Sequence, residues 1–195
     1  MTAVDDRLIT DVREIFENLE VPEGFKAELL RGDIVMMAGP GLVHNMIVES
    51  VQDQVPRDLW RRLQVQGIDI PEENSEPVPD LVVIGREAAP AAGRLVPSGV
   101  VALVVEVVSK NSVDRDYGDK RSIYAAGRIP AYLNIDPMAS QCLLLTEPIG
   151  QGEEADYLVE RTSKFGMPLA LDMLGIKLET GEFGTLPPVK RHRRP

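Results

Sequence analysis

Hydrophobic positions recur with two different periods along this chain, and the changes of period divide it into elements. Leu8, Val12, Ile15, Phe16 and Leu19 stand near helical spacing, which predicts an amphipathic helix over residues 5–20, ended by Val21-Pro22-Glu23-Gly24. Phe25–Leu30 and Ile34–Met37 flank Arg31-Gly32-Asp33, the pattern of a β-hairpin. After a loop at Ala38–Gly41, His44, Val48, Val51, Val55 and Leu59 form a stripe spaced four, three, four and four. That stripe predicts a helix from Val43 to Leu63, kinked or split at Pro56.

Residues 71–79 are rich in Pro and Glu and read as a loop, Val78–Ile84 as a strand, and Gly85–Gly99 as a second loop. Val100–Val108 is apolar on both parities, the mark of a central strand covered on both faces. A helix is expected over 113–126 with Gly127 as its C-terminal cap. Ala131–Ile135 follows as a strand closed by Asp136-Pro137, then weaker strands at Leu143–Leu145 and Tyr157–Arg161 and a short helical stretch near Leu171–Leu174. This order predicts a mixed α/β fold, a central sheet with helices packed against it.

Composition narrows the classes. The 195 residues fit one domain, expected over 1–182, followed by a basic, flexible tail over 183–195. A chain of this length buries enough core to fold without disulfides or a structural metal. One cysteine, Cys142, excludes a disulfide framework and cysteine-based zinc sites, and two histidines, His44 and His192, exclude a histidine-rich metal centre. No apolar run is long enough to span a bilayer, and the acidic N-terminus reads as no signal peptide, so the expected compartment is the cytoplasm. The net charge is -10, with Lys190, Arg191, Arg193 and Arg194 concentrated at the end. So acidic a body repels nucleic acid at long range, which argues against nonspecific coating of DNA and leaves room for a local site. There is no Gly-rich phosphate loop, because Ala38-Gly39-Pro40-Gly41 lacks the following Lys-Ser/Thr.

The sharpest anomaly is Glu106, a carboxylate in the middle of the most apolar strand. Buried and unpaired it costs several kcal/mol, about 3–5 when a partner is missing, so a cation, a donor network or a metal has to offset it. The bland reading is a glutamate pointing outward at an open strand end. Asp80 taken alone is a turn or cap residue after Pro79. If its strand pairs antiparallel with that of Glu106, however, the two acids meet, and a pair of carboxylates suits a hard cation such as Mg²⁺. Lys120 shares a helix face with Tyr117 and Tyr124, and reads either as a cation aimed at those acids or as a snorkelling lysine. Glu28 is a weak candidate alone, His44 heads an apolar stripe as a core or capping residue, and Arg115-Asp116 reads as a solvated helix start.

Pro79-Asp80-Leu-Val-Val, Val-Val-Glu106-Val-Val-Ser and Arg115-Asp-Tyr-Gly-Asp-Lys120-Arg-Ser-Ile-Tyr124 together resemble the Uma-two type restriction endonucleases, a branch of the PD-(D/E)XK nuclease superfamily. Glu28-Leu-Leu-Arg-Gly32, the Gly-Pro before His44, and Tyr132-Leu-Asn-Ile-Asp136-Pro fit the same pattern, over about residues 22–176. The resemblance implies a restriction-endonuclease-like core and a DNA phosphodiesterase. Asp80 and Glu106 would be its metal ligands for Mg²⁺ or Mn²⁺, and Lys120 would assist at the scissile phosphate. Glu28 matches the family's early acid and His44 its helix-start histidine. The superfamily's usual lysine position, two after the Glu, is Val108 here. Lys110 stands where the family commonly has Pro, and Gly127-Arg-Ile-Pro-Ala-Tyr replaces a commoner Gly-Val-x-Glu-Tyr. A homodimer is implied by resemblance only. The rival readings are a non-catalytic interaction or structural protein that retains the fold, and an enzyme acting on another phosphate ester or small acidic substrate.

Overall fold

The computed structural model describes residues 6–187, with side chains from Val12 onward. Helix α1 covers Asp6–Glu17, and strands β1 (Phe25–Leu30) and β2 (Asp33–Ala38) form the expected hairpin. Its turn uses Arg31 and Gly32, both at positive φ, the backbone twist a tight two-residue hairpin needs. Helix α2 runs Leu42–Gln54 and stops there. The helix expected as far as Leu63 is therefore wrong in its second half. Pro56 cannot donate to a helix and pushes Val55 into extended backbone, and the chain re-enters as strand β3, Trp60–Gln64. Leu59, read as part of the helical stripe, is exposed.

A short parallel pair, β4 (Ile68–Asp69) with β6 (Val96–Pro97), brackets β5 (Leu81–Gly85). Strand β7 is Val101–Val107 and β8 is Ala131–Asp136, joined through a turn of π-helix at Arg115–Asp119 and helix α3, Lys120–Ala126. The expected weaker strands are the longest in the sheet, β9 (Gln141–Ile149) and β10 (Asp156–Lys164). A last hairpin of β11 (Leu169–Leu171) and β12 (Ile176–Leu178) encloses the short helical turn Asp172–Leu174. The six-stranded sheet has the order β10-β9-β8-β7-β5-β3, with β7 and β8 parallel and every other pair antiparallel.

Apolar residues at both parities put β7 in the middle, because each of its faces meets a separate core. One face carries odd-numbered residues: Leu81, Val83, Leu103, Val105 and Leu133 meet Ile47, Val48 and Val51 of α2 and Leu171 and Phe183 of the C-terminal segment. On the other face, Val82, Ile84, Val104 and Tyr132 meet Ile123, Tyr124 and Ala126 of α3. Phe183 is buried and the Leu186 N–H donates to the Pro137 carbonyl, so packing continues past residue 182; residues 188–195, most of the expected tail, lie outside the described residues. Gly127 follows α3 as expected, but Arg128 takes the left-handed conformation. The glycine is needed for space, since a Cβ there would stand 3.0–3.3 Å from three Ile70 side-chain atoms.

Candidate active site

Antiparallel pairing of β5 with β7 places Leu81 opposite Val105, so Asp80 and Glu106 come next in register at the same end of the sheet. Residues directly opposite in such a pair share a face. The backbone ties them further: the Val107 N–H donates to Asp80 Oδ2 at 2.8 Å. Glu106 does not point to solvent, being 2% exposed, so the bland reading of it fails.

Lys120 offsets the buried charge. The first residue of α3 aims back at the sheet, and its Nζ donates to Glu106 Oε1 at 2.7 Å and to Glu28 Oε1 at 2.9 Å. It is 2% exposed, which excludes the snorkelling alternative. Tyr124, one turn later on the same face, donates its hydroxyl to the same Glu106 oxygen at 2.7 Å. Glu28 comes in from β1, fully buried; its Oε1 also accepts from the Val78 N–H and its Oε2 has no partner.

Asp80 has its own partners. His44 Nε2 donates to Asp80 Oδ2 at 2.9 Å, and Lys26 Nζ lies 3.4 Å from Oδ1 while donating to the Val78 carbonyl. The five residues singled out from the sequence thus gather as two adjoining ion-paired groups. Lys120 serves Glu28 and Glu106, while His44 and Lys26 serve Asp80; the β7 backbone and the Val78 peptide join the two.

Sequence reasoning missed three members. Lys26 shares the parity of Glu28 on β1, a usable signal. Asp116 is buried, contrary to the expected solvated helix start, and accepts from the Ser112 hydroxyl. The signal for it was spacing: Asp116, Lys120 and Tyr124 stand four apart. The third is Ser112 itself. Four carboxylates (Glu28, Asp80, Glu106, Asp116) therefore surround two ammonium groups, Lys26 and Lys120.

The electrostatics follow. Burial, with Asp80 and Asp116 adding repulsion, pushes the Glu106 carboxyl up to about 8 although Lys120 pulls it down. Burial also raises Asp116 to about 6 against the pull of Lys120 and Ser112. Burial works to raise Asp80 too, but the His44 hydrogen bond and the Lys26 charge outweigh it and hold that carboxyl below the usual range. Lys120 is disfavoured by burial, yet Glu106 and Glu28 more than compensate and raise it. Among the described residues no three His, Cys, Asp or Glu side chains converge as a ready-made metal cage. Of two cavities among the described residues, one of about 410 Å³ opens beside Leu144, Arg161 and Met173, and one of about 280 Å³ borders the site at Ala27 and Val78 without reaching its acids.

Residues 13–179 match a protein family described as "Putative restriction endonuclease" and called Uma2. No curated protein sequence matches the chain. Among solved structures, a protein of Anabaena variabilis described as "a putative nuclease belonging to DUF820" matches with a TM-score of 0.64 and 13% identity, covering 87% of this chain and 95% of that one. At that identity the likeness carries the fold alone.

Proposed function

This chain belongs to the Uma2 family, and from that premise we propose that it is a metal-dependent endonuclease hydrolysing phosphodiester bonds of DNA. The observation that carries the reading is that Asp80 and Glu106 follow the Leu81–Val105 pair at one end of the sheet, with the Val107 N–H on Asp80 and Lys120 at 2.7 Å from Glu106. The donor set fits a hard divalent ion. Four carboxyl groups, two of them pushed up by burial and mutual repulsion, face two ammonium groups, and Glu28 keeps a buried oxygen without a partner. Mg²⁺ takes one or two carboxylates and keeps its waters, so a two-acid site needs no third protein ligand. Asp80 and Glu106 would hold Mg²⁺ or Mn²⁺, which would supply Lewis-acid polarisation of a phosphate oxygen and a more acidic water. Lys120 and Tyr124 position Glu106. Two of the three lysine N–H donors are committed to carboxylates. His44 and Lys26 orient Asp80. The test is nicking of supercoiled DNA by purified protein with Mg²⁺ or Mn²⁺: activity is expected in the parent and lost in Asp80→Ala and Glu106→Gln, and equal cutting by these variants refutes the assignment.

The alternative is a non-catalytic interaction protein that retains the fold. It is favoured by one observation: Glu28, Glu106 and Lys120 are closed off and paired with one another. Calorimetry with Mn²⁺ separates the two. The enzyme reading requires a site that Asp80→Ala abolishes, and the alternative requires none.

A further inference from the structure

Arg115 opens the π-helical turn that leads into Lys120, and it is half-buried. Its Nη2 donates to Met37 Sδ at 3.1 Å, and its Nε is buried without a hydrogen-bond partner. A thioether is a weak acceptor, so this guanidinium has no adequate partner among the described residues. Other part-buried arginines here differ: Arg13 pairs with Asp69 and Glu76, Arg31 with Glu73, and Arg121 with Asp156. Leaving a part-buried cation unpaired is costly, and an incoming anion relieves that cost.

Location says which anion. Met37 is the cross-strand partner of Lys26, and partners across an antiparallel pair share a face. Lys26 reaches to 3.4 Å from Asp80 Oδ1. The Arg115 guanidinium therefore lies along the hairpin face that leads to the paired acids. A planar fork of N–H donors matches a phosphate geometrically, as an ammonium does not. In a chain of net charge -10, a polyanion needs such local cations to approach at all.

We propose that Arg115 binds a backbone phosphate of the nucleic-acid substrate beside the Asp80–Glu106 site. The assignment rests on the nuclease reading and adds to it a residue for holding substrate. The experiment is binding of a fluorescent DNA duplex by the full chain in EDTA, followed by anisotropy over a range of salt. Parent, Arg115→Gln and Arg115→Lys are compared, with folding checked by thermal unfolding. Arg115→Gln should bind about tenfold more weakly, and its log–log salt slope should fall by about one, the release accompanying one phosphate contact. Arg115→Lys should keep the slope and recover only part of the affinity, because it keeps the charge and loses the fork. A merely structural arginine would shift the melting temperature and leave the salt slope alone. If the parent binds and both variants match it in affinity and slope, the Arg115 assignment is overturned and the nuclease reading stands. If the parent shows no salt-dependent binding, both fall. Should Arg115→Gln not fold, Arg115→Lys decides: affinity equal to the parent's overturns the assignment.

Discussion

Replacing Lys120 by Met removes the charge at the centre of the buried cluster and keeps the side-chain length. Lys120 makes two ion pairs, at 2.7 Å to Glu106 and 2.9 Å to Glu28, and both acids are at most 3% exposed. Breaking a buried pair from one side costs about 3–5 kcal/mol, because the remaining charge is left without compensation. Here two carboxylates lose one shared partner. Tyr124 still donates to Glu106 and the Val78 N–H still donates to Glu28, which keeps the loss within that range. For a chain of this size the change lowers Tm by about 6–20 °C. The assay is urea unfolding of Lys120→Met, Glu106→Gln and the double variant. Glu106→Gln removes one of the two acids that the lysine serves, so the double variant should recover part of the loss, with a coupling of about 1–3 kcal/mol. A Lys120→Met cost below about 1 kcal/mol, or strict additivity in the cycle, would refute the claim that this lysine compensates buried acids.

Tyr124→Phe removes one of the two donors to Glu106 Oε1 and should cost about 1–2 kcal/mol in the same assay, less than the Lys120 change. Asp116 supplies a pH signature. Its folded pKa of about 6 lies above the ordinary 3.8, so the fold holds that proton more tightly than the unfolded chain does. Its favourable contribution is complete below the ordinary value and is lost as pH rises towards 6. Asp116→Asn should therefore gain on the parent by about 1–3 kcal/mol between pH 4 and pH 7. A stability difference that does not change with pH counts against this burial effect. Gly150 has φ +74, and a Cβ there would stand 2.8 Å from the Glu154 carbonyl oxygen. Gly150→Ala should lower stability by about 1–2 kcal/mol, read as a drop in Tm.

Much of this molecule is legible from the order of its letters. The hairpin, the two-faced strand around Glu106 and the helix that carries Lys120 follow from local periodicity, which depends only on residues a few positions apart. The same local logic failed at Pro56, where an apolar spacing continued across a residue that cannot continue a helix. It failed again at Arg115-Asp116, where two charged residues looked solvated. Burial is decided by what packs on top, and here the Tyr132 hydroxyl and the Asn134 amide both donate to the Asp116 carbonyl. Glu106 announced itself as an anomaly, but neither its partners nor their distances could be read. Lys120 is 14 positions away, and Glu28 is 92 positions from that lysine. Contacts over such separations depend on strand register and on how helix α3 lies across the sheet. Only the folded chain sets those, because the free energy that seats each carboxylate comes from groups brought together by packing that no short window of sequence contains.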